Sequence, residues 1–242
     1  ITIVGKSGVK EILETVIIHE VGHNWFYGIL GSNERVYPWM DEGINSYYES
    51  RSIMEKYPHD LFGNVNELSS LTFLGQLTGL DKLNYNQFSF FEYLLSSSSH
   101  TDQPISRPAT VYTDLNYATI VYKKTAVAFH YLSKYLGDSL FDRCMQTYYE
   151  QWKFKHPQPE DIKSVFTSVS GKNLDWFFNE ILFTTKQQDF KLIKHEKSKE
   201  GFKISVTDKS GLPAPFSLST FKNDKLITET WHEPSALNKE LF

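Results

Sequence analysis

The sequence of 242 residues predicts a mainly α-helical fold followed by a small β region. Apolar residues recur every three or four positions through most of the chain before Lys186, which is the spacing of amphipathic helices. Proline and glycine stand where these helical patterns stop. Beyond Lys186 the pattern changes to alternation. We therefore predict a helical domain over residues 1–185 and a β region over residues 186–242 that begins a β-sandwich.

The first predicted helix runs from Val9 to Leu30 and carries two histidines. The second runs from about Met40 to Lys56, because Pro58 is a stop signal. The segment 79–116, rich in Tyr, Phe, Ser and Asn, predicts irregular chain with short helical pieces. Further helices are predicted over residues 59–78, 117–136, 138–155, 159–170 and 174–182, and strands around residues 190–192, 202–206, 216–218 and 226–227.

Composition excludes several classes of protein. The net charge of -4 and the pI near 6.1 provide no basic surface for nucleic acid. No run of apolar residues is long enough to span a membrane, so a soluble chain is expected. Cys144 is the single cysteine, which leaves the compartment open between cytoplasm and export. The β-branched run Ile1–Val4, with no start methionine, predicts a fragment that begins inside a larger fold.

The motif His19-Glu20-Val21-Gly22-His23 carries the strongest chemical signal. Two histidines four apart on a helix lie about 40° apart around its axis and one turn along it, so both imidazoles can reach one zinc ion. Catalytic zinc commonly takes two histidines and a carboxylate, and Glu42 is the candidate third ligand. Glu20 is expected to accept a proton from a zinc-bound water and to pass it to a leaving amine.

Glu49 lies seven residues after Glu42 and returns to nearly the same helical face. It could hydrogen-bond a ligand histidine. A solvated surface glutamate is the more common case, and the sequence alone favours that interpretation.

The motif residues resemble the aminopeptidase N family of zinc metallopeptidases. His19-Glu20-x-x-His23-Asn24-Trp25-Phe26 and, later, Trp39-Met40-Asp41-Glu42-Gly43 stand at the family's separation. Tyr122-Lys123-Lys124-Thr125 is similar to the family's Tyr-x-Lys-Gly, with Thr125 in place of the glycine. The resemblance runs from about Ile1 to Leu182 and implies a thermolysin-like gluzincin catalytic domain.

The resemblance also implies a role for each matching residue. His19, His23 and Glu42 would bind one zinc ion, Glu20 would be general base and acid, and Tyr122 would stabilise the oxyanion. Without the family context, Tyr122 would be assigned to ordinary packing on an apolar stripe. The implied reaction is hydrolysis of the N-terminal bond of a peptide substrate.

One family element is absent from the sequence. The Gly-x-Met-Glu-Asn strand, whose glutamate helps to hold the free amino terminus of the substrate in the family, would lie just before Ile1. This leaves the activity of the isolated fragment open. Two alternatives remain, a thermolysin-like zinc endopeptidase and a non-catalytic zinc-binding fragment. The side-chain preference and the oligomeric state are not fixed by the sequence.

Overall fold

The computed structural model describes residues 10–58, 83–99, 101–198, 201–223, 225–239 and 241. The predicted helix over residues 59–78 and the predicted strand Ile1–Val4 lie outside the described residues. We number six longer α-helices in chain order: α1 Lys10–Gly22, α2 Ile44–Lys56, α3 Tyr85–Ser98, α4 Thr125–Leu136, α5 Asp138–Trp152 and α6 Pro159–Ser170. Three π-helices, Trp39–Gly43, Tyr117–Lys124 and Trp176–Ile181, occur among them.

The mainly α-helical fold followed by a small β region is confirmed. Local signals set several helix ends. Helix α6 begins at Pro159, whose fixed φ suits the first helical position, and ends before Gly171, which has the positive φ of 65° common at helix C-termini. Helix α2, together with the π-helix before it, covers the predicted span and is followed by Tyr57 and Pro58.

Helix α1 is shorter than predicted. It ends at Gly22 rather than Leu30, and tight turns follow, with Tyr27 at a positive φ of 87°. At this point Asn45 of α2 lies against the backbone and donates its side-chain Nδ2 hydrogen to the His19 carbonyl at 2.8 Å. A Cβ on Gly22 would lie 1.9 Å from Asn45 Oδ1. Glycine therefore permits the close crossing of α1 and α2.

Helix α3, of 14 residues, lies in the segment that the sequence predicted to be irregular with short helical pieces. Its first turn is fixed by a capping box, in which the Asn84 side chain accepts from the Gln87 backbone and the Gln87 side chain accepts from the Asn84 backbone. This reciprocal pair satisfies two backbone donors at the helix start. The sequence-based prediction underestimated the length of this helix because it judged the segment by its composition and did not use the capping pair Asn84 and Gln87.

The core lies among α2, α4, α5, α6 and the three π-helices. Its largest fully buried side chains are aromatic, and Phe129 of α4 contacts both Trp39 and Phe177 with ring centroids at 6.0 and 5.2 Å. Buried aromatic residues supply much of the hydrophobic stabilisation of such a core. The π-helix Trp39–Gly43 is therefore packed into the rigid centre of the molecule.

The β region forms two antiparallel hairpins. Strands β1 Phe190–Ser198 and β2 Gly201–Asp208 pair with each other, as do β3 Phe216–Lys222 and β4 Lys225–His232. The alternating pattern thus predicted the strands. The division at residue 185 stays a prediction.

Some β-region residues pack into the helical core. Leu212 and Ala214 belong to the core cluster, and Trp231 packs against it. The ring centroids of Trp231 and Tyr131 are 5.4 Å apart. Among the described residues, no helix combines the length and apolar character needed to cross a membrane.

Candidate metal and active site

Three predicted ligand residues come from two consecutive helical elements. His19 lies in the last turn of α1, and His23 follows its end, held by a backbone hydrogen bond from its N–H to the His19 carbonyl at 3.3 Å. Glu42 lies in the π-helix Trp39–Gly43. The structure brings all three side chains together at the crossing of α1 and α2.

The three candidate ligand atoms form a small triangle. His19 Nε2 and His23 Nε2 are 3.2 Å apart. Glu42 Oε2 lies 3.0 Å from the first nitrogen and 3.3 Å from the second. With zinc–ligand bonds of about 2.0 to 2.1 Å, tetrahedral ligands stand about 3.3 Å from one another. The spacing and the donor set of two imidazoles and one carboxylate therefore fit a zinc ion.

Each of the two histidines has a carboxylate partner at its other ring nitrogen. His19 Nδ1 lies 2.8 Å from Glu49 Oε2, and His23 Nδ1 lies 2.9 Å from Asp41 Oδ1. A carboxylate at Nδ1 keeps a proton on that nitrogen, so Nε2 is the nitrogen that a metal would bind after losing its own proton. Glu49 is only 7% exposed, so the prediction of a solvated surface glutamate was wrong. Packing of α2 against α1 and α3 buries it.

Burial and hydrogen bonding shift the ionisation of this cluster. Burial disfavours the charged imidazolium of His19, but hydrogen bonds to Glu42 and Glu49 outweigh it and raise the pKa to about 9. Burial raises the pKa of Asp41 to about 6, against the lowering effect of His23. For Glu42, burial is outweighed by hydrogen bonds from His19 and Tyr122, so its pKa is lowered. The cluster favours an ionised Glu42.

Tyr122 lies beside the triangle. Its ring is 5.6 Å from that of His19, and its hydroxyl donates to the Glu42 carboxylate. Burial and the Glu42 hydrogen bond raise the pKa of Tyr122, so the phenol keeps its proton. Tyr117, which the sequence analysis did not single out, packs edge-on against Tyr122 at 5.8 Å. The π-helix Tyr117–Lys124 thus presents two phenol rings on the Glu42 side.

Thr125 stands where the resembling family has glycine, and a glycine on the facing element, Gly43, makes room for its side chain. A Cβ on Gly43 would lie 2.4 Å from Thr125 Cγ2 and 2.7 Å from the Val121 carbonyl oxygen. The Thr125 hydroxyl donates to the Ile120 carbonyl at 3.0 Å and is fully buried. The close approach of Gly43 and Thr125 therefore keeps Glu42 and Tyr122 within hydrogen-bond reach.

Glu20 is exposed at the C-terminal end of α1, one residue after His19. This position leaves the carboxylate accessible to solvent and to a substrate. A cavity of about 1520 Å³ lies along α1 beside Val21 and Trp25, borders α4 and α5, and is also lined by Glu49. None of the three candidate ligands lines it. Ligand geometry, rather than cavity size, therefore identifies the candidate site.

Three residues near the site were missed or given no role by sequence reasoning. Packing brings Asp41 against His23, the Tyr85 hydroxyl against Glu49, and Tyr117 against Tyr122. The two tyrosines lie on elements distant in sequence from the histidines. Asp41 stands directly before Glu42, and a carboxylate beside a metal ligand is a recognisable signal for a histidine partner. Tyr85 and Tyr117 carried no comparable signal.

Two histidines and one glutamate held on neighbouring helical elements are a donor set typical of catalytic zinc sites. The model of the peptidase family M1 domain matches residues 5–181. The chain therefore belongs to peptidase family M1.

Several relatives carry aminopeptidase names. Aminopeptidase M1-C of Oryza sativa subsp. japonica is 23% identical over 230 residues, covering 91% of this chain and 24% of the relative. Aminopeptidase Q of Homo sapiens is 23% identical over 236 residues, covering 93% of this chain and 21% of the relative. The chain thus spans about a quarter or less of the length of these relatives.

A solved structure shares the fold. Aminopeptidase A of Legionella pneumophila, in complex with aspartic acid, superposes with a TM-score of 0.58 at 15% identity. The match covers 91% of this chain and 24% of that structure.

Proposed function

We propose that the protein is a zinc-dependent aminopeptidase that hydrolyses the N-terminal peptide bond of peptides. The observation that carries this proposal is the triangle of His19 Nε2, His23 Nε2 and Glu42 Oε2, with edges of 3.0 to 3.3 Å. Its spacing suits zinc. Membership of family M1 and the aminopeptidase names of the relatives support the choice of reaction.

In this proposal His19, His23 and Glu42 hold one zinc ion. When bound, zinc would supply Lewis acidity, lowering the pKa of a water molecule and polarising the carbonyl of the scissile bond. Asp41 and Glu49 keep the two imidazoles oriented with Nε2 towards the centre of the triangle.

Glu20 is the proposed general base and acid. Its carboxylate accepts a proton as the water oxygen bonds to the carbonyl carbon of the substrate. It then donates that proton to the amide nitrogen as the carbon–nitrogen bond breaks. Its exposed position at the end of α1 supports this role, because both substrate and solvent can approach it.

Tyr122 is the proposed donor to the carbonyl oxygen as that oxygen gains negative charge. The raised pKa keeps the phenol protonated, and a preorganised donor of this kind typically contributes on the order of 3 kcal/mol. Its hydroxyl donates to Glu42 in the structure, so it lies close to the proposed reaction centre.

The test compares a free-amine aminoacyl reporter with its acetylated form, using the protein, Glu20→Gln and the control Glu55→Gln. Glu55 is also exposed but lies on α2. Cleavage of the free amine alone is expected, with a loss of at least about 100-fold in Glu20→Gln, no loss in Glu55→Gln, and abolition by a chelator that zinc reverses.

Other outcomes would overturn parts of the proposal. Cleavage of the acetylated reporter would favour an endopeptidase. Zinc binding without cleavage of either reporter would favour a non-catalytic zinc-binding fragment. A Glu20→Gln variant as active as the parent would remove Glu20 from its role.

A further inference from the structure

A chain of hydrogen bonds extends from the metal cluster to helix α3. Glu49 uses one carboxylate oxygen, Oε2, for His19 Nδ1 at 2.8 Å. Its other oxygen, Oε1, accepts a hydrogen bond from the Tyr85 hydroxyl. Glu49 and Tyr85 are each 7% exposed. One buried carboxylate therefore links a candidate zinc ligand to a tyrosine that lies 66 positions later in the sequence.

Lys123, at the end of this chain of hydrogen bonds remote from the metal cluster, determines their direction. Lys123 Nζ lies 3.3 Å from the Tyr85 hydroxyl oxygen and 5.0 Å from the centre of its ring. An ammonium group can only donate, so the Tyr85 oxygen accepts from Lys123 and its own hydrogen points to Glu49. Burial and the negative charge of Glu49 raise the pKa of Tyr85, and the phenol stays protonated.

This direction determines which nitrogen of His19 is available to a metal. Glu49 has no proton to donate when ionised, so His19 Nδ1 donates to it. Nε2, which faces His23 and Glu42, is then the nitrogen that a metal would bind once its own proton has left. A carboxylate held at both oxygens has less freedom to rotate, so the imidazole is oriented more strictly.

Tyr85 is itself held in place by three elements. It is the first residue of α3, directly after the capping residue Asn84. It contacts Glu49 of α2 and Lys123 of the π-helix that also carries Tyr122. Lys123 forms an ion pair with Glu92 of α3 at 3.6 Å. The Tyr85 hydroxyl therefore lies where α2, α3 and the Tyr122 segment meet.

We propose that Tyr85 is a positioning residue for the metal centre: its hydroxyl holds Glu49, and Glu49 holds His19 with Nε2 directed at the ion. This inference rests on the proposed zinc site. It predicts that removing one oxygen atom, remote from the metal and from any substrate, weakens zinc binding while the fold is retained.

The test measures zinc affinity by competition with a chromophoric chelator. Loss of a partner beyond the ligands typically costs 10- to 100-fold in metal affinity, and we expect about tenfold weaker binding for Tyr85→Phe. Tyr135→Phe is the matched control, because the Tyr135 hydroxyl also donates to a carboxylate, Glu233, at 2.6 Å and that tyrosine is also 7% exposed. Its zinc affinity should match the parent within about twofold.

A second variant tests the same role of Tyr85 in case Tyr85→Phe does not fold. Lys123→Met removes the donor on the far side of Tyr85 while the tyrosine ring stays in place, and it should weaken zinc binding by a smaller factor, about threefold. The thermal melts of the metal-free proteins identify any variant that fails to fold. The visible spectrum of the Co²⁺-substituted Tyr85→Phe protein should also shift, because His19 is less strictly oriented.

The outcomes separate this inference from the proposed function. If the parent protein binds no zinc, the proposed function fails. If the parent binds zinc and both Tyr85→Phe and Lys123→Met bind it equally well, with unchanged cobalt spectra, the positioning role of Tyr85 is wrong and the zinc site stands.

Discussion

The helical body and the β region differ in how strictly they fix their side chains. In the helical body, Trp39 and Phe129 are fully buried, and buried side chains support both candidate histidine ligands. In the hairpins, Phe221 is 65% exposed and Ile227 is 59% exposed. A metal site needs its ligands held to a fraction of an ångström. The comparison shows why the candidate chemistry lies in the helical body, where packing restricts side-chain motion most.

Removal of one large aromatic residue from each region should give the largest difference in unfolding free energy between the two regions. Trp39→Ala empties a fully buried position two residues before Asp41, and it should cost about 3 to 5 kcal/mol of unfolding free energy. Phe221→Ala removes a mostly exposed ring and should change stability by no more than about 0.5 kcal/mol. Urea denaturation of both variants measures this difference. Similar losses in the two variants would show that the hairpins are packed as strictly as the core.

Substitution of one glycine in each region should give a smaller difference in unfolding free energy than the aromatic pair. Gly43→Ala places a Cβ against Thr125 and the Val121 carbonyl, and overpacking of this kind typically costs about 1 to 3 kcal/mol. Gly211 of the β region has nothing within 4 Å of a Cβ but has a positive φ of 70°. Gly211→Ala should therefore cost only about 1 kcal/mol, from backbone strain.

A double variant identifies the cause of the Gly43 effect. Thr125→Gly removes the nearest clashing atoms, so Gly43→Ala should cost less in that background than in the parent. Chemical denaturation of the four proteins of the cycle gives the coupling energy. Strictly additive losses would contradict a direct contact between these two positions.

The stability of the helical body should change at high pH and that of the β region at low pH. These should be the smallest changes in unfolding free energy among the predictions. Burial raises the pKa of the Cys144 thiol in α5 from its ordinary 9.0 to about 11. The neutral thiol is thus favoured by folding, and this contribution is present below pH 9 and is lost as the pH rises to 11. Stability should fall over that range, and less so in Cys144→Ala. An unchanged slope in the variant would count against this assignment.

In the β region, burial of Asp208 is outweighed by hydrogen bonds from Ser210 and neighbouring backbone groups, so the pKa of Asp208 is lowered. Its contribution is present above the ordinary value of 3.8 and is lost as the pH falls through the lowered value. Because the carboxylate is partly exposed to solvent, the effect should be small. Asp208→Asn should remove it, as measured by denaturation at pH 2 to 5.

The sequence predicted those features that depend on local signals. The start of α6 at Pro159, its end at Gly171 and the span up to Lys56 follow from proline and glycine chemistry. The His-Glu-x-x-His spacing predicted that His19 and His23 come together, because helix geometry fixes the separation of residues four apart. Glu42 was the candidate third ligand because catalytic zinc commonly takes a carboxylate beside two histidines. The assignment of Tyr122 depended on family resemblance, since spacing alone does not determine how two helices cross.

Features that depend on long-range packing were not predictable in this way. Glu49 is buried because α1 and α3 both pack against α2, bringing His19 and Tyr85 against its carboxylate. At the end of helix α1, Asn45 of another helix lies against Gly22 and donates to the His19 carbonyl. No local pattern at either position encodes its partner. Among the residues missed, Asp41 alone had a readable signal, its position beside the candidate ligand Glu42.

The π-helix Tyr117–Lys124 affects how readily the proposed chemistry could be lost in evolution. A π turn accommodates about one more residue than an α turn does. Deletion of a single residue between Tyr122 and Thr125 would let the segment relax to ordinary α geometry and swing the phenol about 100° relative to α4. The loss of one codon would therefore keep the helical fold and move Tyr122 away from its proposed position.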